Sequence, residues 1–197
     1  SFKTGNILDL MYKEASLEHS YETVKEFNPD LMLVFGSSII KEPLLSLKPN
    51  RFINLHLGLS PYYRGSGTNF WPFVNKELEY VGSTILHLDP GIDTGDIITH
   101  VTPNFQVGDT VHTVGCKVIQ ESVKVLKKIL LMVEQGKELK RVKQWNVSNS
   151  KYYKNKDFNE KILNTYKENL KNSLIQNYVL STKKSLKLIS LDNESSR

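Results

Sequence analysis

A single cysteine, Cys116, among 197 residues excludes an intrachain disulfide framework. Nothing else argues for an oxidising compartment. No stretch reaches the roughly 18–20 consecutive apolar residues of a membrane-spanning helix. The opening residues, SFKTGNILDLMYKEA, lack the charged start and apolar centre of a secretory signal. A cytoplasmic protein with no membrane partner is therefore expected. Internal repeats are absent, and no spacing of His, Cys, Asp or Glu fits a strong zinc pattern, so no metal is expected. A dedicated nucleic-acid surface is lacking too. Residues 1–149 carry 16 basic and 16 acidic side chains, and residues 150–197 carry ten and five, which supplies the whole formal charge of +5. The tail lysines are not interleaved with arginines and aromatics. A solvated basic extension is expected, and nucleic acid is not expected as a partner.

What is present suffices for a core, since 39% of the residues are apolar. Residues 7–27 carry Ile7, Leu10, Met11, Val24 and Phe27 at helical spacing, and Asn28-Pro29-Asp30 ends that helix. Leu31 to Phe35 is a short continuous apolar run that reads as a strand buried on both faces. Ser37–Leu47 reads as a loop and short helix, and Phe52–Leu57 as a second strand. A loop rich in Gly, Pro and Tyr covers 58–67. Thr68 is placed to cap a helix to about Lys76. Gly82–Leu88 and Asp96–Val101 read as further strands. Asp109 or Thr110 caps the longest helix, to about Gln135, with Cys116 inside it as a core residue. Residues 139–147 suggest a strand, 159–180 a second helix, and the last dozen residues weak order. Alternation of strands and helices predicts an α/β fold with a mainly parallel, Rossmann-like sheet flanked by helices. The expected division is a catalytic part at 1–147 and a basic helical C-terminal extension at 148–197.

The stretch Arg51–Thr99 concentrates the chemistry. Asn54 and His56 stand two apart on a strand and share one face. Two polar groups on a buried face carry a desolvation cost unless satisfied. Hydrogen bonding to neighbouring loops is one explanation, and a reaction site is the other. Asp93 lies downstream in the loop Gly91-Ile92-Asp93-Thr94-Gly95. An amide can donate to an oxygen that becomes an oxyanion. An imidazole can donate to it or accept a proton near neutral pH. A carboxylate can fix the imidazole tautomer or relay protons. No Ser or Cys is placed as a nucleophile, so direct transfer between two bound substrates is more natural than a covalent intermediate.

At these residues the sequence resembles the folate-dependent formyltransferases. That family includes glycinamide ribonucleotide transformylase, methionyl-tRNA formyltransferase and the nucleotide-sugar N-formyltransferases. The likeness rests on Asn54-Leu55-His56, Pro61-Tyr62-Tyr63-Arg64-Gly65, Gly82-Ser83-Thr84 and Asp93-Thr94-Gly95-Asp96, and runs over about residues 29–135. The resemblance implies that 10-formyltetrahydrofolate donates its formyl group to an amine. Asn54 and His56 then stabilise the oxyanion, and His56 with Asp93 manages proton transfer. Backbone at Ser38, Ile39 and Ile40, and at Asp89, Pro90, Gly91 and Ile92, is placed to bind the folate. Tyr63 and Arg64 are placed to face the acceptor.

This chain departs from the family in reading His56-Leu57-Gly58 where His-Pro-Ser/Gly is frequent. It is also short before the strand at 31–35, opening on Ser1 rather than Met, and the N-terminal part of the catalytic domain is expected to be missing. The tail resembles the helical extensions of sugar-type members, which favours a small, nucleotide-linked amine and allows a homodimer. The alternatives are formylation of methionyl-tRNA or glycinamide ribonucleotide, hydrolysis of the donor, and a non-catalytic folate-binding remnant.

Overall fold

A computed structural model describes residues 18–182 and 184–192. In chain order its main elements are α1 (Glu18–Phe27), β1 (Met32–Val34), α2 (Leu44–Leu47), β2 (Phe52–His56), β3 (Tyr63–Gly65) and α3 (Trp71–Asn75). They continue with β4 (Ser83–His87), β5 (Ile97–Val101), α4 (Val111–Glu134), β6 (Lys151–Tyr153), α5 (Glu160–Lys171) and α6 (Leu174–Leu180). The helix expected over 7–27 is described from Glu18 onward, and residues 7–17 lie outside the described part. Its end is as expected. Asn28 turns left-handed at φ 49°, and its N–H closes on Val24 O at 3.0 Å before Pro29.

The central sheet has the order β1-β2-β4-β5. Among the described strands, β1 and β2 are parallel, while β4 runs antiparallel to β2 and to β5. The α/β class and the helical C-terminal part agree with the sequence reading, but the expected mainly parallel direction does not hold for these pairings. The link from His87 to Ile97 is too short for a crossover helix, so β4 and β5 must run in opposite directions. β1 differs as well. It pairs on one side only among the described residues, and Leu33 and Phe35 are 46% and 52% exposed rather than buried on both faces.

α4 covers one face of the sheet. Ile53, Leu55, Ile85 and Ile98 meet Leu126 and Ile129 in one apolar cluster. The helix starts at a capping box in which Thr110 and Thr113 exchange side-chain bonds, and the chain turns left-handed just beyond it at Gly136. Its buried stripe is Val114, Val118, Ser122, Leu126 and Ile129. Cys116 is exposed rather than core, because two positions past Val114 the helix has turned about 200°.

The C-terminal residues join the same packing. Tyr166, Leu170, Leu174 and Ile175 pack with Phe73, Leu78, Phe105 and Val114. The helix expected over 159–180 breaks into α5 and α6 at Ser173, which has φ 58°. Residues 139–147 form no strand beyond one bridge between Val142 and Ile97. β6 was not anticipated. Of the last dozen residues, those described up to Asp192 are held rather than loose, since His100 N donates to Ile189 O at 2.7 Å, and residues 193–197 lie outside the described part.

Candidate active site

β2 carries the site because its two faces differ. Ile53 and Leu55 point toward α4, which leaves Asn54 and His56 on the opposite face. His56 is buried at 7% exposure, and Asn54 is half-buried. The Asn54 amide makes no hydrogen bond to another described residue.

Asp93 reaches this face by an indirect route. His87 lies opposite Ile53, so the 88–96 loop leaves β4 beside the start of β2. It then doubles back along the sheet, and Asp93 Oδ1 comes within 3.3 Å of His56 Nδ1. The site lies where a loop folds back over the sheet face.

Local hydrogen bonds shape that loop. Thr94 Oγ1 lies 2.8 and 2.9 Å from the two Asp89 oxygens, and Gly91 N donates to Asp89 Oδ1 at 3.1 Å. Asp93 itself is left-handed at φ 54°, a conformation that costs a non-glycine residue on the order of 1–3 kcal/mol. A Cβ at Gly95 would sit 1.8 Å from His87 O, so only glycine lets the turn press against the strand. Gly65 N donates to Asp93 Oδ2 at 3.0 Å. Gln144 Nε2 donates to Asp93 O at 2.7 Å and to Gly95 O at 3.0 Å.

Both nitrogens of His56 face acceptors. Nδ1 looks at Asp93, and Nε2 lies 3.2 Å from Tyr63 O. Thr68 Oγ1 is 3.4 Å from Nε2, but its hydroxyl donates to Leu57 O. Only the imidazolium can donate to both acceptors at once. Burial opposes that charge and lowers the His56 pKa, while the Asp93 carboxylate and the Tyr63 carbonyl pull it back. A neutral ring that keeps its proton on Nδ1 leaves Nε2 free to take one.

The other expected residues are placed unevenly. Ile39 is 53% exposed, Ser38 is half-buried, and Ile40 is buried against Leu44 and Phe52. Asp89 spends its carboxylate within its own loop, while Pro90, Gly91 and Ile92 are exposed. Arg64 is half-buried, with Nη2 3.5 Å from Ser150 Oγ and a buried Nε that has no partner among the described residues. Tyr63 does not face an acceptor. Its ring is 1% exposed among Leu59, Tyr62 and Trp71, and its hydroxyl donates to Glu77 while accepting from Asn75 Nδ2 at 2.8 Å.

Thr68 does not cap α3, whose N-cap Phe70 has no side-chain cap bond. It packs beside His56 instead. The sequence reading also missed Gly58, where a Cβ would lie 2.5 Å from His56 Nε2. It missed Gln144 too, 51 residues beyond Asp93, where no spacing signal connects them. His87 and His100 have structural partners: Lys140 O at 3.0 Å for His87, Ser60 O at 2.7 Å and Ile189 N at 2.8 Å for His100.

A family model described as formyl transferase matches residues 7–130. Methionyl-tRNA formyltransferase of Desulforamulus reducens is 33% identical over 115 residues, which is 58% of this chain and 36% of that protein. The chain thus spans a little over a third of the length of such relatives. Among solved structures, the formyltransferase PseJ from Anoxybacillus kamchatkensis has a TM-score of 0.58 at 27% identity, covering 76% of this chain and 72% of that one. It was solved with UDP-4,6-dideoxy-4-formamido-L-AltNAc and tetrahydrofolate. An N-formyltransferase from Helicobacter canadensis, solved with folinic acid and dTDP-3-aminofucose, has a TM-score of 0.51 at 26% identity and covers 64% and 46% of the two chains.

Proposed function

Because this chain belongs to the formyl transferase family, we propose that it moves a formyl group from 10-formyltetrahydrofolate to a primary amine on a nucleotide-linked sugar. The observation that carries this reading is the buried His56–Asp93 pair beside an Asn54 amide with no described partner. Ile39 and Ile92 add exposed apolar surface on two loops, and the 90–92 backbone is accessible. Exposed apolar side chains on two loops and an open amide suit a flat heterocycle that carries a carbonyl.

The donor supplies the formyl carbon. Asn54 donates an N–H to the formyl oxygen as negative charge develops there. His56 adds a donor from Nε2 once that nitrogen has taken the proton of the attacking amine. The new C–N bond forms as the amine attacks, and the old C–N bond breaks as the donor nitrogen leaves. The proton lost by the amine passes through His56 to that nitrogen, with Asp93 holding Nδ1 throughout. Arg64 is assigned to an anionic group of the acceptor, since its half-buried guanidinium forms no ion pair among the described residues. The Tyr63 side chain is left out of this role, and its carbonyl orients His56.

A nucleotide sugar is favoured because the likeness to PseJ, solved with a UDP-linked formamido sugar, covers 76% of this chain and 72% of that one. The tRNA reading has its own support in the higher sequence identity and the basic tail. The discriminating experiment incubates the protein and 10-formyltetrahydrofolate with UDP- and dTDP-linked amino sugars, with methionyl-tRNA, or with neither. Tetrahydrofolate released only with an amino sugar is the expected result. Release only with methionyl-tRNA selects the second reading, and free formate without any amine identifies a hydrolase.

A further inference from the structure

Asp93 is held in a left-handed conformation, which Asp tolerates better than most residues but which its surroundings must still fix. Its carboxylate must nonetheless sit close enough to His56 to fix the ring. The loop bonds around Asp89 act on residues 91 and 94 and leave the Asp93 peptide free. That peptide is held from outside the loop. Gln144 Nε2 donates to Asp93 O at 2.7 Å and to Gly95 O at 3.0 Å, so one amide group spans the turn. Gln144 is itself carried to the loop by the neighbouring bridge, where Val142 and Ile97 exchange backbone bonds of 2.8 and 3.0 Å. It lies beyond residue 130, where the family match ends.

We propose that Gln144 is a positioning residue for formyl transfer, clamping the Asp93–Gly95 turn so that the Asp93 carboxylate faces His56. The inference deepens the catalytic reading and rests on it for the word transfer, whereas the clamp itself rests on geometry alone. Asp93 Oδ2 is fixed by Gly65 N and Oδ1 faces His56. The charged groups near the turn besides Asp93 are Asp89, engaged by Thr94, and the Arg141–Asp96 pair at 3.2 Å. Removing the Gln144 amide frees the turn on its outer side and leaves the Gly65 N–H as the one described hydrogen bond holding Asp93, so the carboxylate is no longer set firmly against His56. The imidazolium then loses its one nearby counter-charge.

The test reads His56 directly and needs neither donor nor acceptor. The ring resonances of His56, assigned by their loss in His56→Ala, are titrated by NMR in the full chain and in Gln144→Ala. The expected result is a His56 midpoint lower by about one pH unit, a size typical of losing a neighbouring charge, with the His100 resonances unchanged. In the Asp93→Asn background the same substitution is expected to shift nothing further, because the charge it acts through is gone. Gln144→Met, which keeps the side-chain length, serves as a second variant and is expected to behave like Gln144→Ala. An unchanged His56 midpoint in a folded variant overturns the proposal. A shift that persists in Asp93→Asn also overturns it, as does loss of the fold in both variants, which would assign Gln144 to stability alone. Failure of formyl transfer with every acceptor leaves this titration intact, so the two readings fail separately. Where transfer is measurable, Gln144→Ala is expected to lower kcat roughly 10- to 100-fold with KM for the donor changed less than about twofold.

Discussion

Single residues decide whether the face of β2 can do chemistry. Asn54 has an amide with no described partner, and its proposed task is to meet a developing oxyanion. Asn54→Ala is expected to reduce kcat by roughly 100- to 1,000-fold, the usual cost of one such donor; steady-state kinetics with the amino sugar that proves active measures this. Gly58 works by being small. A side chain there would strike His56 Nε2 and Thr68 Oγ1, both 2.5 Å from the position of its Cβ. Gly58→Ala is therefore expected to displace the His56 ring and lower activity by at least about tenfold, because small misplacements of catalytic groups are costly. A crystal structure of that variant would show the ring moved. Asn54, His56 and Asp93 were legible in the sequence because polar residues on a strand face and a glycine-flanked carboxylate are unusual in themselves. Thr68 and Gln144 were not, since a threonine before a helix reads as a cap and Gln144 fell inside the stretch 139–147, which read only as a strand. Tyr63 was placed toward the acceptor by the family resemblance. Its hydroxyl turns inward to Glu77 and Asn75.

Elements explain how distant segments reach the site. β3 is three residues long, and it delivers the Tyr63 carbonyl to His56 and the Gly65 N–H to Asp93. It is fastened by the parallel strand β6, by Lys151 N donating to Tyr62 O at 2.8 Å, and by the ion pair of Lys151 with Glu77. Neither strand was legible, because three residues are too few to show a period of two. The long helix α4 was legible from its cap and stripe. α5 matters to α3 through one buried side chain. Asn169 Nδ2 donates to Phe73 O at 3.0 Å and Val74 O at 2.9 Å, satisfying carbonyls at the helix end. Asn169→Ala is expected to cost about 1–3 kcal/mol by leaving those groups unpaired. Urea denaturation checks this, and an unchanged midpoint would show that water replaces the amide without loss.

At the scale of the whole molecule, three buried histidines tie stability to pH. Burial lowers the pKa values of His56, His87 and His100, the last to about 4. The unfolded chain holds each near 6.5 and so binds more protons between those values. Their contribution is complete above about pH 6.5 and is lost as pH falls toward 4, with His100 alone accounting for on the order of 3 kcal/mol. The thermal midpoint is expected to fall across that window. His100→Gln is expected to be less stable at neutral pH and to show a shallower fall; an equally steep fall would place the acid sensitivity elsewhere. The α/β class was legible at this scale, whereas strand direction was not, since an apolar run carries no sign of which way it points. The account as a whole stands on the His56–Asp93 pair. Its most direct test is single-turnover formyl transfer from bound 10-formyltetrahydrofolate, set beside donor affinity, in the native chain, His56→Ala and Asp93→Asn. Transfer in both variants is predicted to slow by roughly 100- to 10,000-fold with donor affinity within about threefold of native. Transfer at near-native rates in either variant would contradict it.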